Sequence, residues 1–176
     1  MKLKEEVSKK RRLYKGRTID FYADSIKLPN GNTALREYIT HPGAVSVIPF
    51  LNKKEIVLVR QYRYPVGKTT YELPAGKIDA GENLIKCVRR ELMEETGFRA
   101  GRIRKLISYW PSPAFSNEIL HIYTAYDLAP VKSCPDEDEF IEKIILPFNK
   151  ALQWIYEGRI LDSKTLIALL LYRDLL

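Results

Sequence analysis

The sequence predicts a mixed α/β (α+β) fold, with strands dominating the first half and helices at the centre and the end of the chain. Segments rich in β-branched and aromatic residues alternate with turn residues, which is the first observation behind this class. One central segment and two closing segments carry apolar residues at helical spacing. The chain of 176 residues, with 45% hydrophobic and 29% charged residues, has the composition of an ordinary globular protein.

Residues 17–40 are predicted to form a β-hairpin. TIDFYADSIKL and TALREYIT contain strand-forming residues and flank PNGN, whose Asn30–Gly31 pair suits a tight turn. We expect residues 1–42 to form an N-terminal arm and a small antiparallel β-subdomain, and residues 43–176 to form the main domain. The basic run within the first 17 residues is more typical of a solvated or frayed terminus than of a nucleic-acid site.

The next segments predict core strands followed by a central helix. GAVSVIPFL and EIVLVRQYRY read as a second pair of strands. Residues 83–96 contain no Gly or Pro, and Gly97 follows them where a helix commonly ends in a left-handed residue. Four apolar residues at helical spacing, with Cys87 nearby, predict the buried side of this helix: Leu84, Ile85, Val88 and Leu92.

The rest of the chain predicts three more strands and two helices. The strands are expected at 103–109, 118–127 and 140–146, with the Pro-containing loop WPSPAFSNE between the first two. The helices are expected at 148–157 and 163–174. Asp162 or Ser163 can serve as the N-cap of the second helix.

Composition narrows the class of partner and the compartment. A formal charge of +7 favours anionic ligands. Cys87 and Cys134 lack CxxC spacing, so neither a zinc site nor a disulfide framework is indicated. No apolar signal-peptide core begins the chain, and the apolar run LIALLLY is too short to span a bilayer. We therefore expect a cytoplasmic protein without a membrane partner.

The central helix carries an unusual group of carboxylates within GKIDAGENLIKCVRRELMEETGF. At 3.6 residues per turn, Glu91 and Glu95 lie about 40° apart, and Glu94 lies about 60° to the other side of Glu91. Two interpretations are open. The face is either solvated, with Arg90 pairing with Glu94, or it binds a hard divalent cation such as Mg²⁺, which takes carboxylates, waters and substrate phosphates.

The spacing around these glutamates resembles the Nudix box at every specified position: Gly76, five residues, Glu82, seven residues, then RELMEETGF. The chain is thus identified as a member of the Nudix hydrolase family. This resemblance implies an α/β/α sandwich and Mg²⁺- or Mn²⁺-dependent hydrolysis of a nucleoside diphosphate linked to another moiety. It further implies that Arg90 orients the glutamates, that Glu82 is structural or binds metal-linked water, and that the metal ligands are Glu91, Glu94, Glu95 and the Ala75 carbonyl.

The flanking sequences LVRQYRY, ELPAGKIDAGE and SPAFSNE resemble ADP-ribose pyrophosphatases within that family. Pro113 stands fifteen residues after Phe98, as in that subfamily, although Ala114 follows it where glycine is common. The resemblance implies that Arg63 contacts the substrate phosphates and that the protein is a homodimer. It also implies substrate contacts from the loop and from the N-terminal hairpin, with candidates Pro113, Glu118, Phe21, Tyr22 and Arg36.

The acidic segment CPDEDEFIEKI resembles the loop that supplies a base in the family. Glu139 matches best, with Glu137 as the alternative, and the expected reaction converts ADP-ribose to AMP and ribose 5-phosphate. Another nucleotide sugar such as GDP-mannose, or a dinucleoside polyphosphate, remains an alternative substrate. A module without turnover that binds RNA is the alternative outside enzymes, and the complete glutamate set disfavours it, so nucleic acid is not an expected partner.

Overall fold

The structure is a computed structural model that describes residues 3–132 and 140–175. The chain divides into two compact units. The first contains Met1–Gly43 and Trp110–Ile119, and the second contains Ala44–Tyr109 and Leu120–Leu176. The segment Trp110–Ile119, which the sequence-based division assigns to the main domain, therefore belongs with the N-terminal residues.

The first unit is built on a four-stranded antiparallel sheet of β1 (Glu6–Lys9), β2 (Arg12–Lys15), β3 (Asp20–Lys27) and β4 (Thr33–Thr40). Strand β3 is central and pairs with the other three. Between β3 and β4, the Leu28 N–H donates to the Asn32 carbonyl at 2.8 Å, and Gly31 adopts a left-handed φ of +89°. The predicted hairpin and its Asn30–Gly31 turn are thereby confirmed.

The N-terminal arm forms two strands, which agrees with the expectation of a solvated segment rather than of a frayed one. Every side chain of β1 and β2 is exposed, as expected for a solvated segment. Their backbones nevertheless pair with β3, because an edge of β3 would otherwise present unpaired N–H and C=O groups. On the other side, the Ile39 N–H donates to the Phe115 carbonyl at 2.9 Å, which attaches the segment Trp110–Ile119 to β4.

The second unit contains two sheets. Their strands are β5 (Ala44–Pro49), β6 (Glu55–Arg63), β7 (Lys68–Glu72), β8 (Ala75–Lys77), β9 (Phe98–Tyr109), β10 (Leu120–Pro130) and β11 (Ile141–Pro147). One sheet has the order β8-β5-β10-β9, with β5 and β10 parallel, and the other has the order β11-β6-β7. Strands β7 and β8 are not anticipated from the sequence.

Three helices cover the sheets: α1 (Leu84–Thr96), α2 (Phe148–Tyr156) and α3 (Ser163–Arg173). Along β5, Val45 and Val47 pack with α1, whereas Ala44 and Ile48 belong to the core that contains residues of α2 and α3. Because alternate strand residues point to opposite faces, α1 lies on one face of the sheet and α2 and α3 lie on the other. The α/β/α sandwich expected from the sequence is confirmed.

The buried side of α1 differs from the prediction at one residue. Cys87, Val88 and Leu92 are fully buried, but Ile85 remains 36% exposed. Ile85 lies at the edge of the apolar stripe, where Cys87 takes its place against the sheet. Among the described residues, no helix is long and apolar enough to cross a membrane.

Candidate active site

Helix α1 sets the register of the candidate metal ligands. Its N-cap is Asn83, whose Oδ1 accepts the Ile85 N–H at 2.9 Å, and its C-cap is Gly97 with φ of +69°. Both caps satisfy backbone groups that the helix itself leaves unpaired. The two caps hold Glu91 and Glu95 on successive turns, and each of these carboxylate residues is only 7% exposed.

Gly76 leaves the space that the Glu91 carboxylate fills. A Cβ atom built at Gly76 would lie 1.9 Å from Cδ and Oε1 of Glu91. Any other amino acid at position 76 would therefore displace this carboxylate. The glycine is required here for close approach between strand β8 and helix α1, and not for an unusual φ.

The Glu95 carboxylate lies against the same strand. Its Oε2 accepts the Ala75 N–H at 3.0 Å. The structure thus brings Ala75 and Glu95 together through the amide of Ala75. The predicted contact of the Ala75 carbonyl with a metal stays a prediction.

Arg90 connects the acidic residues of the site. Its guanidinium donates to both carboxylate oxygens of Glu82 at 3.0 Å, to Glu91 at 2.7 Å and to Glu94 at 3.1 Å. It also donates to the carbonyl of Lys77 at 3.1 Å. The hydrogen bonds from Arg90 are the main reason that the pKa of Glu82 falls to about 2. A planar group with five donors suits this bridging position, as expected for Arg90.

The donor set of this site fits a hard divalent cation. Within the described residues 3–132 and 140–175, no three His, Cys, Asp or Glu side chains already form a metal cage. Mg²⁺ does not require one, because it commonly takes one or two carboxylates and completes its shell with water and substrate phosphate. Glu91 and Glu95 supply two largely buried carboxylates, and carboxylate oxygens are ligands that such an ion prefers.

Arg63 lies in a second polar cluster, at the end of β6. Its Nε and Nη2 donate to the two oxygens of Glu72 at 2.8 and 2.7 Å. Glu72 also accepts a hydrogen bond from Thr70 at 2.6 Å and contacts the ammonium of Lys164. These residues line a cavity of about 550 Å³ together with Asp162. The hydrogen bond to Glu72 raises the pKa of Arg63 against the opposing effect of burial, and the nearby charges of Glu72 and Asp162 act in the same direction as that hydrogen bond.

The stability of the fold should depend on the charge of Glu72. Burial alone would raise the pKa of Glu72, but the hydrogen bond from Arg63 and the positive charge of Lys164 outweigh it and lower the pKa to about 2. The ordinary pKa is 4.5, so the stabilisation is complete above about pH 4.5 and is lost as the pH falls toward 2. By linkage, the charge of Glu72 contributes at most about 3 kcal/mol to the free energy of unfolding.

This prediction is checked by urea unfolding of the wild type and of Glu72→Gln between pH 7 and 2.5. The difference in unfolding free energy between the two proteins should be largest at neutral pH and should narrow below pH 4.5, because protonation of Glu72 then favours the unfolded state of the wild type. A difference that stays constant over this range would contradict the assigned protonation state.

The other predicted substrate contacts lie in the first unit. Phe21 is partly buried in β3, and Pro113 is exposed. Arg36 is paired with Glu5 through two hydrogen bonds. The Oε1 of Glu118 lies 3.6 Å from Nδ1 of His41. Their roles in binding substrate stay predictions, and Glu139 and Glu137 lie outside the described residues.

The sequence predicts Asp162 as a possible N-cap of α3, which the structure confirms, but it does not indicate that Glu72, Lys164 and Asp162 form a cluster. Glu72 and Lys164 are 92 residues apart in the chain and meet only in the folded protein. No spacing rule connects a strand residue with the first turn of a helix at that distance. The available signal is a charged residue, Glu72, between the apolar residues Tyr71 and Leu73 in the segment TTYELPAG.

Comparison with known protein families gives a direct match. The model of the NUDIX domain matches residues 40–166. The methanol dehydrogenase activator of Bacillus methanolicus is 45% identical over 166 residues, which cover 93% of this chain and 90% of that protein. The ADP-ribose pyrophosphatase of Bacillus subtilis is 37% identical over 169 residues, which cover 95% of this chain and 91% of that protein.

A solved structure shares the fold. The crystal structure of an ADP compounds hydrolase superposes with a TM-score of 0.86 at 22% sequence identity, covering 97% of this chain and 93% of the other. The family model spans the box that contains Gly76, Glu91 and Glu95, and the structure places the Glu91 carboxylate between Gly76 and Arg90. This chain belongs to the NUDIX domain family.

Proposed function

We propose that this protein hydrolyses the pyrophosphate bond of ADP-ribose, giving AMP and ribose 5-phosphate, with Mg²⁺ or Mn²⁺ as cofactor. The observation that carries the proposal is the pair of buried carboxylates of Glu91, beside Gly76 and Arg90, and of Glu95, beside the Ala75 amide. The choice of substrate is supported by the Bacillus subtilis relative, which is named ADP-ribose pyrophosphatase and aligns over 95% of this chain.

The residues of the box would hold the cation and keep its ligands in place. Glu91 and Glu95, with Glu94 and the carbonyl of Ala75, would bind it, and Arg90 would keep the Glu91 and Glu94 carboxylates oriented. When bound, the divalent cation neutralises charge on the pyrophosphate and makes water more acidic. The two roles of the protein are therefore to place oxygen donors and to prevent their carboxylates from rotating.

Arg63 and an acidic residue of the loop complete the reaction. Arg63 would bind the charged pyrophosphate, since a guanidinium fork matches phosphate oxygens. One bond forms between a water oxygen and phosphorus, and one bridging P–O bond breaks. Glu139, with Glu137 as the alternative, would take the proton from the attacking water.

The test is a panel of nucleoside diphosphate derivatives incubated with Mg²⁺ or Mn²⁺, with products separated by chromatography. We expect AMP from ADP-ribose at a higher kcat/KM than for GDP-mannose or for dinucleoside polyphosphates. A preference for one of these other substrates would reject ADP-ribose but keep the hydrolase. Inertness towards all of them, with tight and salt-sensitive RNA binding, would favour the RNA-binding module.

A second candidate function is activation of an alcohol dehydrogenase. It is supported by the 45% identity, over 93% of this chain, to the protein named methanol dehydrogenase activator. The two functions are compatible, because an activator can act through hydrolysis. Addition of the wild type or of Glu95→Gln to methanol dehydrogenase separates them: stimulation by the wild type alone indicates an activity that requires the metal site, and absence of stimulation rejects this candidate.

We also propose that the protein is a homodimer in the cytoplasm. The first unit supports the dimer because it exposes large apolar side chains that a second copy would cover: Leu3, Val7, Leu13, Tyr14 and Leu35. Light scattering coupled to size-exclusion chromatography should give twice the 20.4 kDa mass of one chain. A monomeric mass at micromolar concentration would reject the dimer.

A further inference from the structure

The first turn of α3 contains a buried lysine. Lys164 is only 9% exposed, and its ammonium contacts Glu72 and lies 2.9 Å from Oδ1 of Asp162. Lysine is almost never buried without a partner, because removing its charge from water is costly. The ammonium here bridges two carboxylates, one from the strand that ends at Glu72 and one from the N-cap of α3.

Of the two carboxylates that Lys164 contacts, Glu72 is the one that also binds Arg63. Oε1 of Glu72 accepts from Arg63 and Thr70, and Oε2 accepts from Arg63 and Lys164. Four donors use the full acceptor capacity of the carboxylate, so its orientation is fixed. The paired, planar geometry then fixes the guanidinium plane of Arg63, whose side chain remains 43% exposed at the cavity.

The same turn of α3 also holds the backbone next to Glu72. The hydroxyl of Thr165 accepts the Leu73 N–H at 2.8 Å and donates to Oδ2 of Asp162 at 2.6 Å. Both Leu73 and Thr165 are completely buried. The segment that leads to Ala75 and Gly76 is therefore attached to α3 at two points, through the Glu72 side chain and through the Leu73 backbone.

We propose that Lys164 is a positioning residue that keeps Arg63, through Glu72, in the orientation that binds the pyrophosphate of the substrate. This inference rests on the proposed function of Arg63. Without the ammonium, Oε2 of Glu72 keeps only the hydrogen bond from Arg63 and loses the donor that fixes it from the side of α3. The carboxylate of Glu72, no longer fixed on that side, would stop holding the guanidinium of Arg63 in one plane.

The test compares Lys164→Met with Lys150→Met, which removes the same charge from a partly exposed position on α2, where the side chain is 43% exposed. Lys164→Met should raise KM for ADP-ribose about 10-fold and change kcat less than about 3-fold, because orientation of a binding group is lost. Lys150→Met should leave both constants unchanged. A Lys164→Met protein that is folded and has the wild-type KM overturns the proposal.

A double-variant cycle with Arg63→Gln separates positioning from a general loss of stability. If Lys164 acts through Arg63, Lys164→Met should change KM less than about 2-fold in the Arg63→Gln background. Independent, multiplying effects of the two substitutions overturn the proposal. If Lys164→Met does not fold, Lys164→Gln, which keeps a hydrogen-bond donor without the charge, takes its place in the same cycle with the same expectations.

A readout that needs no turnover separates this inference from the proposed function. The Arg63 Nε–H signal in a ¹H–¹⁵N spectrum is identified as the one lost in Arg63→Gln. In Lys164→Met it should exchange with solvent at least about 10-fold faster than in Lys150→Met, because the bond to Glu72 is less constrained. Unchanged exchange overturns the positioning role, whereas a wild type inactive on ADP-ribose with faster exchange in the variant rejects only the substrate.

Discussion

Replacing Glu95 by glutamine is expected to lower kcat/KM for ADP-ribose at least about 100-fold and to raise the Mg²⁺ concentration needed for half-maximal rate. Glutamine keeps the size of the side chain, and its oxygen can still accept the Ala75 N–H that Oε2 of Glu95 accepts at 3.0 Å. Only the negative charge and one ligand oxygen are lost. Steady-state rates at increasing Mg²⁺ and Mn²⁺, together with Tm, measure the effect.

The matched control is Glu157→Gln at the exposed C-terminal end of α2, where the same charge lies near Lys150 at 3.8 Å. We expect a change of kcat/KM below about 2-fold and of stability within about 0.5 kcal/mol. Turnover of Glu95→Gln within 3-fold of the wild type at saturating Mg²⁺ would exclude Glu95 from the metal site.

Much of the fold could be predicted from local signals. The hairpin turns at Asn30–Gly31, and the apolar periodicity of helix α1 ends at the cap residue Gly97. The strands β7 and β8 lack this pattern, because they are short and contain Pro74 and Gly76 between or within them. They form because β5 and β6 supply the backbone partners, which is a tertiary effect.

The candidate site likewise has one part that local sequence signals predict and one part that depends on tertiary packing. Arg90, Glu91 and Glu95 lie within one helix, so their mutual geometry follows from helical spacing. The cluster around Arg63 depends on Glu72 and on Lys164, which belongs to a helix 92 residues later in the chain. The sequence predicts Arg63 as a group that binds phosphate, but the pairing that fixes its orientation follows only from the packing of α3 on β7.

Replacing Gly76 by alanine tests whether the position of the Glu91 carboxylate matters for the reaction. The new Cβ would lie 1.9 Å from Cδ and Oε1 of Glu91, so the carboxylate must leave its place beside Arg90. The overlap involves the end of a side chain and not the backbone, so the protein should still fold. We expect kcat/KM to fall about 100-fold, the usual result of displacing a catalytic group by about 1 Å.

The control is Gly158→Ala. A Cβ atom added at Gly158 would meet no described heavy atom within 4 Å apart from its chain neighbours, but φ is +69°. It should cost about 1 kcal/mol of stability through backbone strain and leave kcat/KM unchanged. If Gly76→Ala acts through Glu91, the Gly76→Ala/Glu91→Gln double variant should be about as active as Glu91→Gln alone, because the same carboxylate is removed only once. Losses that multiply would show that Gly76 contributes to the site independently of Glu91, through the path of strand β8 itself.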